Sequence, residues 1–210
     1  LMAKQWMGLD KYEPCDLERI NEDIIKKKTV LLDKKLVESS LTLLQNYEDL
    51  LPLRSLDTLR IASVSIGDSA IDFKEMLSNY APIDHFSISE KATVLEQAVL
   101  LNKLSDFNLV IVSIHKSNAS AWESYKIHRQ VDILLQSIAL QSNVIVSIFA
   151  NPYSINSCLF TNNFDALILA YQNSIVAQEQ TAQAIFGGIG MHGRLPVTTK
   201  HFKINSGLDT

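Results

Sequence analysis

The chain is poor in the residues that usually announce a chemistry. It has two cysteines in 210 residues, Cys15 and Cys158, far apart and without metal-ligand spacing. Two thiols without a metal are the plain reading, and a disulfide between them is the alternative. No run of eighteen apolar residues exists, so no segment reads as a membrane-spanning helix, and no signal peptide is visible. The first residue is Leu1, and the chain reads as a piece of a longer protein. Net charge is −4, which gives no basic footprint for nucleic acid. There is no P-loop, no H-E-x-x-H and no G-x-S-x-G elbow, so the corresponding NTPase, zinc-protease and serine-hydrolase readings have no support. No metal site and no cofactor is expected.

Glycine is scarce too. Only seven are present, and four of them (Gly187, Gly188, Gly190, Gly193) crowd into GGIGMHGRLPV. Three have the G-x-G-x-x-G spacing of a dinucleotide loop. That loop needs a strand before it and a helix after it. Here the order is reversed. IVAQEQTAQAIF (175–186) has helical spacing, and Pro196 opposes a helix afterwards. The cluster therefore reads as a helix C-cap at Gly187 and Gly188, followed by a turn.

What is present is apolar and ordered. With 47% hydrophobic residues, the chain can bury a sizeable core. LRIASVSIG (59–67), NLVIVSI (108–114), NVIVSIF (143–149) and DALILA (165–170) are near-continuous apolar strands, and IDHFSI (83–88) is a weaker one. Helical stretches lie between them at 72–80, 91–104 and 125–140. Val94, Ala98, Leu101 and Leu104 mark the expected inner side of the second. Ile127, Val131, Leu134, Leu135 and Ile138 mark that of the third. Strands without alternation are covered on both faces, and right-handed crossovers put helices on either side. The fold class is α/β, a three-layer α/β/α sandwich with a mainly parallel sheet, and strands 108–114 and 143–149 are expected at its centre. Residues 1–53 read as a helical arm, with Asp16 as an N-cap and a second helix over 29–39, and residues 54–210 as the sandwich.

Open α/β sheets gather ligands at the carboxyl ends of their strands. That rule selects Asp68 after the first strand, and His115, Trp122 and Glu123 after NLVIVSI. It also selects the turns at Asn151–Tyr153 and Tyr171–Ser174. A histidine, a tryptophan and a glutamate in one long loop suit contact with a sugar ring or a partner surface. Each also has a plain reading: Asp68 as a turn cap, His115 as a solvated loop residue, Glu123 as a helix-start acid.

SLTLLQNYEDLLPL (40–53) resembles the signature that opens the C-terminal domain of family-3 glycoside hydrolases. FDALILAYQNSIVAQEQTAQAIFGG (164–188), followed by GRLPV (193–197), resembles the signature that closes it. FANPY (149–153) resembles an intervening strand end, and LMAKQWMGLD (1–10) the last helix of the preceding barrel. The resemblance implies a retaining exo-β-glycosidase with an N-terminal TIM-like barrel as partner, the nucleophile on that barrel, and a carbohydrate substrate between the domains. In the β-glucosidase branch the acid/base glutamate sits in the loop after the strand matching NLVIVSI. HKSNASAWESYKIHRQ (115–130) departs from that pattern, so no catalytic residue is expected in this chain. The departure points to the β-N-acetylglucosaminidase branch, with His115, Trp122, Glu123 and Asp68 as substrate-facing candidates and a bacterial periplasmic or secreted setting. The alternative is a non-catalytic α/β module that binds carbohydrate or protein.

Overall fold

The computed structural model describes residues 1–11, 17–18, 20–117, 125–158 and 161–210. Two units divide at Lys34/Lys35. The first contains α1 (Met2–Trp6), α2 (Ile20–Ile24) and the start of α3 (Lys27–Ser40). All of its residues with an assigned burial are exposed. Helix α3 covers the stretch expected at 29–39. Asp16, the expected cap, lies outside the described residues, as does Cys15.

The second unit is an α/β/α sandwich. Its elements run β1 (Thr42–Asn46), β2 (Ile61–Gly67), α4 (Ile71–Ser78), β3 (Ile83–Ile88), α5 (Val94–Leu104), β4 (Leu109–His115), α6 (Arg129–Ala139), β5 (Asn143–Phe149), β6 (Ala166–Leu169) and α7 (Ile175–Ile185). The sheet order is β1-β6-β5-β4-β2-β3. β2 to β6 are parallel to one another, and β1 joins β6 antiparallel. The two most uniformly apolar strands, β4 and β5, sit at the centre as expected.

Period-two alternation splits these strands between two cores. Val110, Val112, Val144 and Val146 pack with Leu100 and Leu104 of α5 and with Val131, Leu134, Leu135 and Ile138 of α6. Leu109, Ile111, Ile145 and Phe149 pack on the other face with Phe73 and Leu77 of α4, Ile185 of α7 and Val37 of α3. The mixed burial of β3 follows from its place at the edge.

Three expectations are corrected. The stretch 40–53 is not all arm: Leu41, Thr42, Leu43 and Leu44 are buried, and Thr42–Asn46 is an edge strand. A five-residue strand without alternation carries little periodic signal. The inner face of α5 is Leu100 and Leu104, while Val94 is 82% exposed. The box in which Thr93 caps Glu96 N–H and Glu96 accepts from Thr93 N–H fixes the start of that helix. Helix α6 begins at Arg129 and not at 125, because His128 is extended (φ −65°, ψ 142°). Its expected buried stripe is otherwise intact.

The glycine cluster is a helix end. Gly187 has φ +77°, a left-handed conformation cheap only for glycine, and its N–H reaches Ala184 O at 3.1 Å. Gly193 N–H donates to Leu41 O at 2.9 Å, so the following segment is tied to the strand side of the fold. Among the described residues no helix is long and apolar enough to cross a membrane.

Val146 is wholly enclosed in β5. Val146→Asp should abolish the cooperative melt, because an unpaired carboxylate there costs several kcal/mol. A melt within a few degrees of wild type, followed by circular dichroism, would contradict the two-sided burial of β5.

Candidate functional site at the carboxyl edge of the sheet

Five parallel strands deliver their exits to one edge. The exits of β2, β3 and β4 enclose a cleft of about 870 Å³. Its lining includes Asp68, Ser69, Lys74, Glu90, His115, Lys116 and His128.

Gly67 ends β2 with φ +97°. A Cβ there would collide with the carbonyl oxygen of His115 and stand 3.2 Å from Glu90 Oε1. Glycine thus lets β2 and β4 close up at their ends. Asp68 N–H then donates to His115 O at 3.0 Å, and Asp68 Oδ2 accepts from Ser117 N–H at 2.5 Å. The carboxylate expected to face substrate has one oxygen holding the β4 exit.

His115 is corrected more sharply. It is the last residue of β4 and is fully buried, not solvated in a loop. Its ring stacks on Phe149 (centroids 4.4 Å apart, planes 8° apart) and meets the Phe73 ring edge-on at 6.0 Å. Nδ1 lies 2.8 Å from Asn173 Oδ1, which also accepts from Gln178 Nε2 at 2.7 Å. An oxygen acceptor at that position assigns the ring proton to Nδ1. Gln178 Nε2 also reaches Ser69 O at 3.1 Å, and its Oε1 accepts from Phe73 N–H at 3.1 Å. Burial pushes the His115 pKa down to about 4, against the upward pull of Asn173 and Asp68. The imidazole is therefore neutral at pH 7. Nε2 is buried and has no hydrogen-bond partner among the described residues.

Glu90, just beyond β3, takes Lys116 Nζ at 2.8 and 2.9 Å through its two oxygens and has His128 Nε2 at 3.5 Å. Lys74 Nζ donates to Ser87 Oγ at 2.6 Å, and partial burial lowers its pKa. Among the described residues no three His, Cys, Asp or Glu side chains converge as a metal site requires. The structure thus brings Asp68 and His115 together. Trp122 and Glu123 lie outside the described residues.

Glu90, His128, Lys74 and Gln178 were not found from the sequence. The strand-end rule applied to 83–88 would have reached Glu90, but the mixed pattern of that strand hid its exit. His128 was hidden by the expectation of a helix from 125.

Parallel strands, helices on both faces and a polar cleft at the carboxyl edge define an α/β/α sandwich with its strand-exit loops gathered at one edge. The chain belongs to the glycosyl hydrolase family 3 C-terminal domain family, whose sequence model matches residues 41–205. Solved structures with the same fold include a fungal multi-domain GH3 β-N-acetylglucosaminidase (19% identity, TM-score 0.67, 89% of this chain and 20% of that one). They also include a GH3 β-N-acetylglucosaminidase from Paenibacillus sp. str. FPU-7 (18%, 0.65, 91% and 36%). A β-glucosidase from Listeria innocua matches equally well (16%, 0.68, 91% and 30%). The chain spans between 20% and 36% of the lengths of these three proteins. No curated protein matches.

The buried imidazole makes stability depend on pH. An unfolded histidine takes up its proton near pH 6.5, and native His115 does so only near 4. Its contribution is intact above about pH 6.5 and is lost as pH falls toward 4, on the order of 3 kcal/mol in all. His115→Phe keeps the stack and removes the titration. The stability gap between wild type and variant, from urea melts, should shift toward the variant by about 2–3 kcal/mol between pH 7 and pH 4.5. Parallel curves would contradict a buried neutral His115.

Proposed function

We propose that this domain forms one wall of the sugar site of a retaining exo-β-glycosidase that removes terminal β-N-acetylglucosaminyl groups, beside an N-terminal TIM-like barrel that carries the nucleophile. One observation carries the reading. HKSNASAWESYKIHRQ (115–130), the stretch that leaves β4, holds a single carboxylate, Glu123, and departs from the β-glucosidase pattern around it. The nearby carboxylates Asp68 and Glu90 are engaged in holding that exit. A β-glucosidase of this family draws its proton donor from this loop. The β-N-acetylglucosaminidase branch does not need to, and two of the similar structures are β-N-acetylglucosaminidases. Residues 1–34, rich in exposed apolar side chains such as Trp6 and Leu31, would lead out of the barrel.

In this reading the domain shapes and covers the sugar. Trp122 stacks on the ring or on the barrel, and Glu123 or Asp68 reaches a substrate hydroxyl. Asp68 has Oδ1 left for that purpose, whereas His115, with Nε2 buried, stands behind the cleft surface.

The full-length protein should hydrolyse p-nitrophenyl N-acetyl-β-glucosaminide with kcat/KM at least about tenfold above the β-glucoside, a difference of about 1.4 kcal/mol. The 210-residue chain alone should hydrolyse neither. A reversed ratio would place the protein with the β-glucosidases. Turnover by the isolated chain, lost on changing one of its carboxylates, would overturn the non-catalytic role. Trp122→Ala and Glu123→Gln should each lower kcat/KM of the full-length enzyme about tenfold. Rates within about twofold of wild type for both, at an unchanged Tm, would remove the 115–123 loop from the site.

A further inference from the structure

We infer that Glu90 is a positioning residue that holds together the two stems of the connection between β4 and α6, and so sets the shape of the cleft mouth; this rests on the sugar-site reading above. Two strand exits and a helix start meet at its carboxylate. Glu90 itself comes from the β3–α5 turn. Lys116 stands one residue beyond the end of β4, and His128 is the residue immediately before α6. Lys116 Nζ sits between the two oxygens, and His128 Nε2 approaches one of them. Lys116 and His128 thus bracket residues 117–127, and both line the cleft.

The Glu90–Lys116 pair is enclosed, and His128 is half-exposed. The side chains of Glu90 and Lys116 are only 16% and 11% exposed. A mostly desolvated pair resists opening far more than a surface pair, because either partner alone would be left uncompensated. Gly67 makes room for it, since the Cβ it lacks would stand 3.2 Å from Glu90 Oε1. The β4 stem is held a second time through Ser117 N–H on Asp68. The β2 and β3 exits therefore both grip the β4 exit, and only Glu90 among these contacts also reaches the α6 side.

A positioning role is separable from direct substrate contact and from general stability. In the full-length enzyme, Glu90→Gln should raise KM for p-nitrophenyl N-acetyl-β-glucosaminide about fivefold or more, with kcat within about twofold. Lys116→Met should shift KM in the same direction, and the double variant should fall short of the sum of the single losses, because both changes break the Glu90–Lys116 pair. Hydrogen–deuterium exchange of the same protein reads the clamp without any turnover. Amides of 116–117 and 125–128 should exchange at least about fivefold faster in Glu90→Gln, while those of β4 and β5 remain protected. Unchanged exchange at 116–117 and 125–128, or acceleration spread evenly over the domain, overturns the proposal. So do additive kinetic losses, which mark two independent substrate contacts. A wild-type protein that hydrolyses neither glycoside refutes the sugar-site reading, and the exchange comparison still decides the role of Glu90.

Discussion

Two-sided burial of β4 and β5 is the constraint on which the structure depends. Val110, Val112, Val144 and Val146 face one helical layer, and Leu109, Ile111 and Ile145 face the other. Strands so placed are reached by crossovers, and crossovers make neighbours parallel. Parallel strands send every exit to the same edge. The cleft is thus a consequence of packing before it is a feature of chemistry.

Polar groups at that edge serve two ends. Some close the strand exits on one another, as Asp68 does with Ser117 and the His115–Asn173–Gln178 chain does with Ser69 and Phe73. Others remain turned to the cleft. Gly67 is the hinge of this economy of space, since any side chain there would separate β2 from β4. The burial of His115 between Phe149 and Phe73 keeps it neutral, which suits an acceptor and not a cation at neutral pH.

The layers, the central strands and the glycine turn were legible because each rests on a long or locally determined signal. Val131, Leu134, Leu135 and Ile138 repeat over about two turns, and Gly187 follows the last of a helical pattern. β1 was not legible: its partner β6 lies about 120 residues away, and five residues set no period. The site was half legible. The strand-end rule reached Asp68 and His115 from position alone. It did not reveal that His115 turns inward, because that depends on Phe73 from another element. Nor did it reveal Glu90, whose role exists only where two strand exits meet the start of α6. Trp122 and Glu123 keep the standing that the sequence alone gives them.

The central claim is that this carboxyl edge faces a sugar held between two domains. A crystal structure of the full-length protein with an N-acetylglucosamine-derived inhibitor tests it most directly. The account predicts the sugar between the barrel and this domain, with at least one residue from the β2, β3 or β4 exits hydrogen-bonded to it, directly or through one water. A sugar enclosed wholly by the barrel, with this edge turned to solvent, would contradict it.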